Sequence, residues 1–311
     1  MRSRVATAVD AGDVAQSAQS DTSPKKIMVP KRTARHIERS AQLPSGAFGP
    51  NVEIFKQLAD NDADAAYMLA QGYQDCEFFV APKDESAAAA QAESSTVMQL
   101  GIMDQVIDQA KEAANHAGTS LGAIPEPPVQ SIYEENLNAV QKQTRECAGV
   151  DKNAARDWMT WQRRAAELGN PDAELKFWQS LREDADARSL EELIQDKRVA
   201  EAALRDSLSH GDARALIAMG VAFDVGLFSD PDPFSAYAYF FAASQAPSAD
   251  TSTLPWIGQN VFQLLSVGSN TQQYLQRTMD RIGSNLSPAQ QLAAQRLGLT
   301  LYLQCCQGSG T

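Results

Sequence analysis

The chain has 311 residues, of which 43% are hydrophobic, and 27 basic against 39 acidic residues leave a formal net charge of −12. That length allows one large or two small domains. An acidic body repels nucleic-acid phosphate, which argues against DNA or RNA partners, and no stretch approaches the roughly 18 uninterrupted apolar residues that a membrane helix needs. The charge is uneven: residues 1–45 hold eight Lys and Arg against four Asp and Glu, a balance of +4, so the remainder carries −16.

Residues 1–46 are rich in Ser, Ala, Gln and Pro and poor in large apolar side chains. Such a composition buries too little surface to offset ordering entropy, so a disordered, basic N-terminal arm is expected. Its first residues carry charge but no continuous apolar core, unlike an intact secretory signal. Lys25, Lys26, Lys31, Arg32, Arg35 and Arg39 gather within it. That cluster is open to three readings: weak contact with anionic lipid, folding back on the acidic body, or a solvated linker.

Residues 47–306 read as one α-helical, repeat-like domain, with 307–311 as a frayed tail. Scarce β-branched runs argue against strands. Phe48 and Pro50 introduce a first helix pair over Asn51–Ala59 and Asp64–Tyr73, and residues 74–79 are expected to leave the helix. Residues 81–95 read as a polar, Ala-rich connection, in which Pro82 and Asp84 mark a turn or cap. The spacing then predicts helices over Val97–Asn115 and Val129–Cys147, joined by a Gly- and Pro-rich loop over 118–128.

Trp158–Leu181 organises the chain. Trp158, Trp161, Ala165, Ala166 and Leu168 form a helical stripe. Gly169-Asn170 breaks it, as a helix C-terminus needs a residue tolerant of positive φ. Pro171 suits the first turn of the next helix, whose apolar face continues through Leu175, Trp178 and Leu181. Ala173 is small enough for the two helices to press together. The grammar returns around Gly211–Ala215 and more weakly around Asn61–Ala65, with Ala65, Ala173 and Ala215 in register.

Ser189, three residues before Glu192, has the spacing of a capping box for a helix over Ser189–Ser209. A further pair is read over Pro255–Gly268 and Thr271–Gly283. Ser287-Pro288 opens the last helix, which runs to about Cys305.

Arg164-Ala165-Ala166, Gly169, Asn170 and Ala173, followed less completely by Gly211, Ala215, Gly220 and Gly226, resemble the Sel-one-like repeats, relatives of the tetratricopeptide repeats. Phe228 stands where that family usually has a second loop glycine. The resemblance covers Phe55–Tyr73 and Trp158–Ser244, about two-fifths of the chain. It implies antiparallel helix pairs stacked as a short, degenerate α-solenoid that binds a protein or peptide partner. The alternative for the same residues is an irregular helical bundle whose Ala-rich helices mimic the repeat.

Four cysteines occur, none in a C-x-x-C pair. Cys76 and Cys147 end predicted helices on either side of a two-helix stretch, where a bridge would staple two connections; closing such a loop stabilises by roughly 4 kcal/mol in the chain-entropy model. A bridge implies a periplasmic or secreted location, whereas two buried free thiols are compatible with the cytoplasm. Cys305-Cys306 reads as a helix-end pair, one in and one out, rather than a vicinal disulfide.

No catalytic, cofactor or metal site is expected. Gly118-Thr119-Ser120-Leu121-Gly122 fits G-x-S-x-G, but the nucleophile elbow needs a strand before it and a helix after it. His36, His116 and His210 lack a second ligand at i+3 or i+4. His210 has Asp206 one turn back, a helix-end charge interaction. Glu183–Asp186 and Asp230–Asp232 read as solvated acidic loops, and most of Tyr237, Tyr239, Phe240 and Phe241 as core. The leading expectation is a non-enzymatic interaction or scaffold protein of bacterial type. Its rivals are a helical enzyme using Glu167, Glu174 or Asp224, and a structural envelope protein.

Overall fold

The computed structural model describes residues 43–116, 118, 128–183, 189–246 and 271–306. Among these the protein is all-α. Twelve helices follow in order: α1 (Phe48–Ala59), α2 (Ala63–Glu77), α3 (Glu85–His116), α4 (Val129–Glu146), α5 (Lys152–Ala155), α6 (Trp158–Glu167), α7 (Pro171–Glu183), α8 (Leu190–Ser209), α9 (Arg214–Val225), α10 (Pro233–Ser244), α11 (Thr271–Gly283) and α12 (Pro288–Cys305).

Capping explains several of these starts. Asp62 accepts from the Asp64 and Ala65 amides at 3.0 and 2.9 Å to open α2. Ser189 and Glu192 form a reciprocal capping box at α8, as do Ser287 and Gln290 at α12. Each such cap satisfies amides that have no intrahelical partner, a contribution of about 1 kcal/mol.

The helices pack mainly on their neighbours along the chain, with one interruption. α1 packs on α2, but the main partner of α2 is α6, and α6, α7, α8, α9 and α10 then follow one against the next. Between α2 and α6 the chain makes the α3–α4 hairpin, in which α3 packs chiefly on α4. Beyond α9, helix α10 is the hub, contacting α9, α11 and α12. Tyr239, Phe240, Ala238 and Ala242 of α10 are buried, and Phe241 is partly so. Close approach there depends on missing side chains: a Cβ on Gly298 would lie 2.6 Å from the Ala238 carbonyl oxygen, and one on Gly220 3.1 Å from the Phe240 ring.

The structure corrects several local expectations. α1 begins at Phe48 and α2 runs on through Cys76 to Glu77, so residues 74–77 do not leave the helix. Residues 85–95 are helical rather than a connection, with Asp84 accepting from the Ala87 amide at 2.8 Å. The Ala-rich run has high helix propensity although it lacks a stripe of large apolar side chains. The Cys305 and Cys306 sulfurs lie 2.09 Å apart, at disulfide distance, instead of forming an unbonded helix-end pair. The helix expected over Pro255–Gly268, residues 1–42 with His36, residues 119–122 of the G-x-S-x-G match, 184–186 of the first acidic loop and the tail 307–311 lie outside the described residues.

Candidate functional site: a ladder of turns and the α2–α7 side-chain cluster

Three turns share one construction. Asp62-Ala63-Asp64-Ala65, Asn170-Pro171-Asp172-Ala173 and Asp212-Ala213-Arg214-Ala215 open α2, α7 and α9. The first side chain of each accepts a backbone amide just ahead: Asp62 from Ala65, Asn170 from Ala173 at 2.9 Å, and Asp212 from Arg214 at 3.0 Å. Ala65, Ala173 and Ala215 are fully buried. In the second and third turns the preceding glycine is left-handed, with φ of 89° at Gly169 and 86° at Gly211. The next amide then reaches back five residues, from Asn170 to Ala165 and from Asp212 to Ser207, the hydrogen bond of a Schellman motif. The first turn has Asn61 in place of Gly and makes a four-residue bond, from Asp62 to Leu58, instead.

Side chains join the turns laterally. Asn170 Nδ2 donates to Asp64 Oδ1 at 2.8 Å, and the Arg214 guanidinium donates to Asp172 Oδ1 at 3.1 Å. Arg214 also holds Asp212 at 2.7 Å, and Arg164, at the end of α6, donates to the Asp60 carbonyl. Position three of the motif, Asp64, Asp172 or Arg214, therefore carries the links. The sequence signal was present as an acid, an acid and a base at one register position, but nothing local says that they meet.

The remaining predicted turn residues also have structural places. Gly226 is the left-handed C-cap of α9, with φ 71°, and Gly220 lies under Phe240. Cys76 and Cys147, at the ends of α2 and α4, have sulfurs 2.07 Å apart, at disulfide distance, and so close the base of the hairpin.

A cluster of side chains from α2 and α7 lies beside the ladder. Tyr67, Gln71 and Asp75 occupy positions i, i+4 and i+8 of α2, hence one face, and Asp172 and Lys176 occupy i and i+4 of α7. Lys176 Nζ donates to Gln71 Oε1 at 3.0 Å and lies 5.2 Å from the centre of the Tyr67 ring, within cation–π range. Burial lowers the Lys176 pKa against the opposing pull of Asp172 and Asp75. Burial likewise raises the Asp75 carboxyl, with Lys176 opposing, and raises the Tyr67 phenol, helped by Asp172. A half-desolvated ammonium beside an aromatic face, an amide and two carboxylates offers a cation and hydrogen-bonding groups to a polar ligand. Sequence reasoning missed this group because Tyr67 and Lys176 are far apart along the chain.

The carboxylates nominated for an enzyme are dispersed. Glu167 pairs with Arg163 at 2.8 Å on α6, buried Glu174 accepts from Ser207, and Asp224 pairs with Arg281 of α11 at 2.6 Å. His210 caps α8 with Nδ1 3.3 Å from Asp206 Oδ2, and Asp232 caps α10 by accepting from Ser235. Among the described residues, no group of three or more His, Cys, Asp or Glu is placed to hold a metal ion, and no helix is long and apolar enough to cross a membrane. No protein-family model, curated protein or solved structure matches the chain.

Proposed function

We propose that the chain is a non-enzymatic interaction protein, built as a short degenerate solenoid of Sel-one-like type, that receives a protein or peptide partner across α2, α7 and α9. The observation that supports this reading most directly is the lateral ladder, Asp64 to Asn170 and Asp172 to Arg214. It sets three equivalent helix starts side by side, the arrangement by which stacked helix pairs generate one continuous binding face. Tyr67 of α2 and Lys176 of α7 lie against one another there, and an aromatic and a cation make suitable anchors.

The test is capture by the intact chain, compared with a Tyr67→Ala/Lys176→Glu variant and with Leu299→Ala on the distant face of α12. A partner retained by the wild type and Leu299→Ala but lost by the double variant supports the reading. A partner lost through neither variant, or substrate turnover that follows Glu174, counts against it. The Cys76–Cys147 geometry favours an oxidising compartment, periplasmic or secreted. Thiol counting under non-reducing denaturation checks it, since four free thiols would remove that support.

A further inference from the structure

Among the described residues, the α3–α4 hairpin carries a face on which no helix packs. At 32 and 18 residues, α3 and α4 are about 48 and 27 Å long. Ala88, Ala92 and Thr96 of α3 are buried, as are Ile132 and Val140 of α4. Asn136 donates to Thr96 Oγ1 at 3.0 Å and to Gln99 Oε1 at 3.3 Å, which sets the register. Val97, Met98 and Ile102 point elsewhere, 66%, 68% and 42% exposed. Single exposed apolar residues are ordinary, but these three fall within six residues and lie among acids. α3 contains Glu85, Glu93, Asp104, Asp108 and Glu112, all exposed, and its one lysine, Lys111, pairs with Asp108.

Helix α1 begins at the foot of this hairpin. The Phe48 amide donates to Glu146 Oε2 at 2.6 Å, and Gly49 lies against the backbone of Glu146 and Ala148. Ala47, joined to Phe48, therefore lies beside the end of α4. The chain before it carries Lys25, Lys26, Lys31, Arg32, Arg35 and Arg39, with Ile27, Met28, Val29 and Ile37 between them. Its composition complements the α3 face in both charge and apolar content. Length permits the contact. At 1.5 Å per residue, Asn136 stands about 15 Å from Glu146 along α4, and Asp108 about 18 Å beyond Thr96 along α3. Lys25 precedes Leu43 by enough residues to reach about 60 Å when extended.

We propose that the segment Lys25–Arg39 docks on the outer face of α3 in its own chain, with basic side chains at Asp104, Asp108 and Glu112 and the Ile27–Val29 run on Val97, Met98 and Ile102. The contact makes the arm a ligand of the hairpin and leaves the α2–α7 side-chain cluster to a separate partner. It is salt-sensitive, because exposed charges are screened within about 10 Å at 0.1 M salt.

Two measurements on the full chain test it. Zero-length carbodiimide cross-linking of a dilute mixture of isotopically light and heavy protein should join Lys25, Lys26 or Lys31 to Asp104, Asp108 or Glu112 within one copy. Trypsin should cut the arm at least about threefold faster in an Asp104→Asn/Asp108→Asn/Glu112→Gln variant of unchanged helicity, and in about 0.5 M salt, than in the wild type at low salt. Met98→Gln should speed the cut in the same direction. Links spread over the body's acids, links only between light and heavy copies, or equal cutting of variant and wild type would overturn the proposal. So would an arm protected only after phosphatidylglycerol vesicles are added, which would make it a lipid-binding segment.

Discussion

Helix α3 of the hairpin and the α9–α10–α12 region are both rich in small residues, yet they are held by different forces. Eight of the twelve residues of α10 are buried, and its neighbours come close where Gly220 leaves room for the Phe240 ring and Gly298 for the Ala238 backbone. In α3 only a thin line of small residues is buried, and Gly101 has nothing within 4 Å of where a Cβ would stand. Helix α3 therefore rests on propensity and on α4, with Cys76 and Cys147 at its foot, whereas α10 rests on close packing. The same small residue serves opposite purposes: approach in one region, permissiveness in the other.

The largest change is expected on raising pH, where several body groups act together. Burial raises the phenols of Tyr67 and Tyr73 on α2, Tyr239 on α10 and Tyr274 on α11 above their ordinary 10.0, with Tyr239 pushed up to about 12. A raised folded-state pKa gives stability that is complete below pH 10.0 and lost as pH rises through the folded value. Lys176 acts oppositely, since its lowered pKa makes stability rise with pH up to 10.5. Four phenols against one ammonium predict a net fall in melting temperature above pH 10, followed by helical circular dichroism alongside tyrosinate absorbance.

Next comes the staple. Replacing Cys76 and Cys147 together by Ser removes a link of sequence separation 71, which should lower stability by about 4 kcal/mol in the chain-entropy model. Hydrogen exchange should rise first in α3 and α4. If exchange rose equally in α10, the hairpin would not be a separate unit.

Paired glycine substitutions sharpen the contrast further. Gly298→Ala should destabilise by about 1–3 kcal/mol through overpacking against Ala238, read by urea denaturation. Asn170→Ala should remove about 1 kcal/mol by deleting the cap on α7, and with it the bond to Asp64. Gly101→Ala should stabilise by up to about 1 kcal/mol, because the helix interior gains propensity without meeting a neighbour. A loss at Gly101 would mean that α3 is covered more closely than its exposed face indicates.

The turns were the most legible part of the chain. Asp62, Asn170 and Asp212 cap amides two or three residues away, so their role is written locally, and Ser189 with Glu192 and Ser287 with Pro288 were readable on the same ground. The start of α3 was not, because an Ala- and Ser-rich run has no apolar stripe and declares itself only through propensity. The α2–α7 cluster was hidden for a different reason. Tyr67, Gln71 and Lys176 come from two helices separated by the hairpin, and no short-range pattern links them.

Local chemistry alone therefore determined that this chain is helical, where most of its helices stop, and that Asn61–Ala65, Gly169–Ala173 and Gly211–Ala215 are variants of one turn. Only the folded chain decided that α2 passes over α3 and α4 to pack on α6, that Asp64 meets Asn170 and Asp172 meets Arg214, and that Lys176 lies over Tyr67. The division follows range: a cap is satisfied within four residues, whereas the partner of a buried face is chosen by whatever surface covers it best, at any distance along the chain.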